Sequence, residues 1–175
     1  NLSVFHIDLT GFRLINDAYG QKSGDLVLKH VAHVLSGCAP NPDLVARIGS
    51  DEFLIALNAE ASEDDLQKFA TALRTLIEKP INIGAAKCHI GASIGIASTR
   101  LRECSPKKLL PFADIALKRA KRNGGGTVLF AMDLLEELRS KKVVAQELDI
   151  AFAEDQFTVH YQPIFCARDR TINSL

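Results

Sequence analysis

The chain has 175 residues, 47% hydrophobic and 24% charged, enough for one well-buried domain and the edge of a second. Its 21 Lys and Arg balance 21 Asp and Glu, so no bulk field marks a nucleic-acid or membrane partner. No apolar run approaches the roughly 18 residues of a membrane span, and no signal peptide opens the chain.

Leu2 to Leu9 is apolar and rich in branched residues, which predicts a buried strand delivering Asp8 near its C-terminal end. TGFRLINDAYG predicts a short helical turn ending at Gly20. Gly24 to Leu35 predicts an amphipathic helix, with Leu26, Val27, His30, Val31 and Val34 at helical spacing. Two prolines in SGCAPNPD break that helix. LVARI and EFLIAL then flank a GSD turn as a hairpin. SEDDLQKFATALRTLIEK opens on a Ser cap with acids in its first turn and ends before Pro80. KCHIGASIGIAS alternates and reads as one strand. SPKKLLPFADIALKRAKRNGGG reads as a helix stopped by three glycines, followed by the short strand TVLF. This order predicts an α/β (α+β) sandwich: a mostly antiparallel central sheet flanked by helices.

Met132 to Glu154 reads as one long charged connector helix, and FTVHYQPIF as a fresh strand. A first domain is therefore expected over 1–131, a connecting helix over 132–156 and the start of a second domain over 157–175. A chain that opens on a strand pattern and stops at INSL is expected to be a piece of a longer cytoplasmic protein. Cys38, Cys88, Cys104 and Cys166 have no zinc spacing and read as small buried hydrophobes. His6, His30, His33, His89 and His160 form no metal-ligand pattern, and packing is the simpler role for each.

Three acids occupy positions that can meet: Asp8 at a strand end, and Asp51 with Glu52 at a hairpin tip. Magnesium takes hard oxygen ligands of this kind and leaves its other positions to water and phosphate. Acids at strand ends are also commonly just solvated. In chain order, IDLTGFRLINDAYG, SGD at Ser23 to Asp25, ARIGSDEF, SIGIA and ADIALKRAK resemble the motifs of the GGDEF family over about residues 1–130. These are the diguanylate cyclase domains that join two GTP molecules into cyclic di-GMP.

The resemblance implies a fold like the palm of nucleotide cyclases and polymerases. It also implies magnesium as cofactor, GTP as ligand, and a homodimer in which two domains face each other. Asp8 and Asp51 match the metal acids, and Glu52 the acid that assists the metal or deprotonates the attacking hydroxyl. Gly49 and Ser50 match the substrate turn, and Lys121 a triphosphate contact. Asn16 and Asp25 match the guanine contacts; a carboxylate accepts from the ring N–H and the exocyclic amine together, so Asp25 would make the site prefer GTP. Read alone, Asn16 is equally a local cap and Asp25 a first-turn helix acid.

Departures from that pattern bear on activity. Ser50 stands where the family has a second glycine, whose unusual torsions and missing Cβ let the substrate approach. Gly125 stands where the resemblance implies an arginine clamp for phosphate, Thr10 for an acid, Arg13 for a lysine and Lys118 for an aromatic residue. The product-inhibition motif appears as PNPD, with Pro40 in place of its arginine and Asp43 retained. FTVHYQPI, with Gln162, resembles the opening of an EAL phosphodiesterase domain. Three functions follow: a catalytically impaired GTP-binding module that regulates an attached EAL domain, an active diguanylate cyclase, or a dimerising scaffold that binds no nucleotide.

Overall fold

The computed structural model describes residues 1–38, 44–58, 60–84, 86–100, 105–165 and 172–174. They form two compact units, 1–135 and 136–175. The first unit is built on β1 (Leu2–Thr10), whose near-continuous burial explains why its sequence shows little alternation: both faces are covered. Gly11, at φ +87°, leads into α1 (Phe12–Tyr19), and Gly20, at φ +80°, separates it from α2 (Gln21–Cys38).

The second helix thus begins three residues before the predicted Gly24, because Gly20 supplies the break and the Ser23 hydroxyl donates back to the Tyr19 carbonyl at 2.9 Å. Ser23, Gly24 and Asp25 therefore sit in its opening turns. The hairpin pairs β2 (Leu44–Arg47) with β3 (Glu52–Asn58). Next comes α3 (Glu63–Ile77), started by a reciprocal cap between Ser62 and Asp65.

KCHIGASIGIAS is two strands rather than the single one expected. β4 (Ile81–Ile83) and β5 (Ala86–Cys88) form a small hairpin of their own, and β6 (Gly91–Ser98) joins the main sheet. Strands of three residues are too short to leave a period in sequence, and β4 was hidden behind Pro80. After a 3-10 turn at Pro106–Lys108 follow α4 (Leu109–Arg122) and β7 (Gly126–Leu129).

The main sheet runs β2-β3-β1-β6-β7, antiparallel except for the last pair. One face packs Phe5, Ile7, Ile55 and Ile94 against Val27 and Val31 of α2 and Leu66 and Leu73 of α3. The other carries α4, with Val4 and Ala97 under Ala113 and Ala116 and with Phe112 stacked on Phe130 at 4.0 Å. Gly95 seats that helix: a Cβ there would fall 2.1 Å from the Ala113 carbonyl oxygen and 2.3 Å from the Leu117 nitrogen.

The helix α5 (Met132–Ala153) starts in the first unit, where Leu134 and Leu135 pack on the α4-side core, and continues into the second. In the second unit, the expected strand over FTVHYQPIF is not formed as such. Residues 157–163 carry no ladder, and only β8 (Ile164–Phe165) pairs, with β9 (Ile172–Ser174). A strand pattern needs a neighbouring edge to become a strand. Among the described residues no helix is long and apolar enough to cross a membrane.

Candidate nucleotide and metal site

The period of two along β1 sends Phe5, Ile7 and Leu9 into one core and leaves His6 and Asp8 on the α4 face. In register, Asp8 lies opposite Glu52 on β3 and opposite Ser93 on β6, and Ser93 lies opposite Gly126 on β7. A single row, Glu52, Asp8, Ser93, Gly126, thus crosses four strands.

Lys121, in the last turn of α4, reaches down to this row. Its Nζ lies 2.5 Å from Asp8 Oδ2. Burial raises the Asp8 pKa above the ordinary aspartate value of 3.8; the Lys121 ammonium opposes that shift, and the Asp51 and Glu52 carboxylates add to it. Asp8, Thr10, Ser93, Lys121 and the loop glycines line a cavity of about 440 Å³. Gly124, Gly125 and Gly126 have φ of +83°, +107° and +120°, backbone that side-chain-bearing residues rarely adopt.

The signature turn is fastened at both ends. The Leu9 N–H donates to the Asp51 carbonyl at 3.0 Å, which holds the turn against the end of β1. Arg47 spans it from below, its Nε donating to the Gly49 carbonyl at 3.0 Å and its Nη2 to the Ser50 carbonyl at 2.8 Å. A Cβ on Gly49 would meet Glu52 Cβ and Oε2 at 3.2 Å, so a side chain there would push Glu52 aside by a few tenths of an ångström. Ser50 needs no unusual torsion, since Asp155 alone among the described non-glycine residues has positive φ. Its hydroxyl donates to Asp51 Oδ1 at 2.5 Å, occupying one oxygen of a predicted metal ligand.

The α1–α2 packing sets the first predicted guanine contact, Asn16, against the helix turn that carries the second, Asp25. A Cβ on Gly24 would fall 1.9 Å from Asn16 Oδ1, so the Asn16 amide rests on Gly24, next in sequence to the exposed Asp25. Neither residue lines the Asp8 cavity. Lys118 pairs with Asp114 at 2.7 Å and Arg13 approaches Asp17 at 3.9 Å, so both are engaged on their own helix. Pro40 and Asp43 of the inhibitory motif, and Cys104 and Cys166, lie outside the described residues.

Three residues of this site had no role from sequence. Arg47 was read only as the edge of the turn, and Ser93 as part of a motif. His6 was assigned to packing, yet its Nε2 lies 3.6 Å from Glu52 Oε2 and both buried ring nitrogens lack a hydrogen-bond partner. Counting by two from Asp8 was the available signal for His6. Among the described residues no three His, Cys, Asp or Glu side chains form a metal cluster by themselves. The hard carboxylate oxygens of Asp8 and Asp51 suit magnesium completed by phosphate and water.

Carboxylates at the ends of adjacent strands, faced by a lysine and a glycine loop, define a nucleotide-cyclase-like palm. The chain belongs to the diguanylate cyclase, GGDEF domain family, whose model matches residues 1–127. It is 34% identical over 134 residues to diguanylate cyclase A of Treponema denticola, covering 77% of this chain and 36% of that protein. It is 33% identical over 162 residues to the bifunctional diguanylate cyclase/cyclic di-GMP phosphodiesterase MucR of Pseudomonas aeruginosa, covering 92% of this chain and 24% of MucR. The solved GGDEF domain of TpbB (YfiN) from Pseudomonas aeruginosa superposes with a TM-score of 0.73 at 33% identity, covering 79% of this chain and 81% of that one. The chain spans 20% to 36% of the length of three of its curated relatives.

Proposed function

We propose that this GGDEF domain binds GTP with magnesium, makes little or no cyclic di-GMP, and regulates an attached EAL phosphodiesterase domain. The observation that carries this reading is a contrast within one cavity. Asp8 and Lys121 stand in it, whereas Gly125, where the resemblance implies an arginine, contributes only backbone at φ +107°. A missing guanidinium fork is a missing bidentate grip on phosphate, and a misplacement of about 1 Å can lower a rate roughly 100-fold. The GSDEF turn is read as degenerate because the Ser50 hydroxyl competes for Asp51.

Asp8 and Asp51 would hold the magnesium, with Glu52 beside them. Bound there, the ion would neutralise developing charge on phosphate oxygens. Asp25 and Asn16 would select guanine, and Gly49 and Ser50 would border the substrate. FTVHYQPI supports an EAL domain following α5, and regulation would require GTP to favour one of two states of the longer protein. An active cyclase is the second reading, favoured by the ordinary torsions of Ser50; it would need two copies facing each other, one GTP on each.

Incubation of the purified chain with GTP and magnesium, with chromatography for cyclic di-GMP and a parallel thermal-shift titration, tests this. The expected result is a saturable, magnesium-dependent rise in Tm without product. Product formation would establish the cyclase, and neither signal would leave a dimerising scaffold.

A further inference from the structure

Ser93 is 1% exposed, and its Oγ has no hydrogen-bond partner among the protein's own described groups. Buried hydroxyls are nearly always satisfied, so one left idle in the middle of a sheet calls for a second state in which it is used. Its surroundings name the partner. Ser93 sits directly opposite Asp8 in the β1–β6 ladder, and such pairs place their Cβ atoms about 5 Å apart on one face. Asp8 is already served by Lys121 at 2.5 Å. That lysine side chain is 41% exposed and the Asp8 side chain only 13%, so the ammonium is free to swing outward and the carboxylate is not.

We propose that Ser93 is a positioning residue for Asp8, its hydroxyl taking over the carboxylate when a phosphate-bearing ligand draws Lys121 away. This rests on the reading of the cavity as a metal and triphosphate site. Direct contact between Ser93 and a ligand does not fit, since the hydroxyl oxygen is itself buried. The exchange fits the charge balance. A bound triphosphate would attract the ammonium, Asp8 would then be left to hold a divalent cation, and its carboxylate would need a new donor to keep its orientation. Gly125 keeps the opposite side open: a Cβ there would have Ser93 Oγ as its nearest neighbour, at 3.9 Å.

Two titrations test the proposal. In the first, Ser93→Ala is compared with the parent chain for GTP binding with magnesium and in EDTA. Removing an idle hydroxyl should leave the ligand-free Tm unchanged or higher, while losing a charge-assisted hydrogen bond should weaken magnesium-dependent GTP binding about tenfold. Binding in EDTA should not change, because Ser93 acts through a metal ligand.

In the second, manganese alone is titrated into Lys121→Met and into Lys121→Met/Ser93→Ala, with water-proton relaxation as the readout. Lys121→Met vacates Asp8 without any nucleotide, and the double variant should bind manganese about tenfold more weakly. Equal manganese affinities, no manganese binding at all, or an Ser93→Ala loss of the same size in EDTA would overturn the proposal. If the parent chain fails to bind GTP but the two manganese affinities differ, the GTP reading falls and the role of Ser93 stands.

Discussion

Two loops meet at the end of β1, and the resemblance to the family reads them in opposite directions. The turn before β3 carries a side chain at Ser50 where the resemblance implies glycine, and the loop after α4 carries none at Gly125 where it implies an arginine. The gain is sterically quiet: Ser50 keeps an ordinary φ, and its consequence lies in the hydroxyl at 2.5 Å from Asp51. At Gly125 the backbone itself stands at φ +107°, between two further glycines of positive φ. A gained side chain is thus judged by the contact it makes, and a lost one by whether the backbone would still admit it.

The largest effect expected is in the platform beneath the glycine loop. Gly95→Ala drives a Cβ into the backbone of Ala113 and Leu117, and a loss of about 3 kcal/mol is expected in urea denaturation. A cost below about 1 kcal/mol would mean that α4, and Lys121 with it, is not seated on Gly95. Gly125→Arg comes next. Forcing a side chain onto positive φ should cost about 1–2 kcal/mol and leave magnesium-dependent GTP affinity no tighter. Tighter binding at full stability would show that the loop accepts the clamp and would erase the distinction between the two loops.

Ser50→Gly should be milder, about 0.5 kcal/mol less stable because glycine loosens the unfolded chain, and should not by itself yield cyclic di-GMP. Product from this single variant would locate the defect wholly in the signature turn.

The smallest effect is a pH dependence. Burial raises the folded-state pKa of Asp8 above 3.8, so between that value and the raised one the fold holds a proton the unfolded chain has released. The Asp8 contribution to stability is complete below 3.8 and is lost as pH rises through the folded value. Asp8→Asn removes this titration. The stability of the parent relative to Asp8→Asn should therefore decline across that window, as read by denaturation at a series of pH values. A parent-minus-variant difference that rises with pH would mean Lys121 outweighs burial.

Much of this domain follows from local chemistry. The buried run of β1, the Ser62 cap and acids of α3, and the glycines that stop α4 are each written in a few neighbouring residues, and each element forms where those residues put it. Asp8, Asp51 and Lys121 were legible as candidates because hard ligands and phosphate contacts are few in kind and their motifs come in order. The division of KCHIGASIGIAS and the failure of Phe157 to Pro163 to pair were not legible, because a strand is completed by its neighbour. The same holds within the site. That Ser93 stands opposite Asp8, that His6 faces Glu52, and that Gly95 rather than another glycine carries α4 are facts of register between strands far apart in sequence. Residue types and the order of their motifs name the groups able to do chemistry here. Which of them touch is set by strand pairing, since side-chain direction alternates at every residue and the register fixes the face.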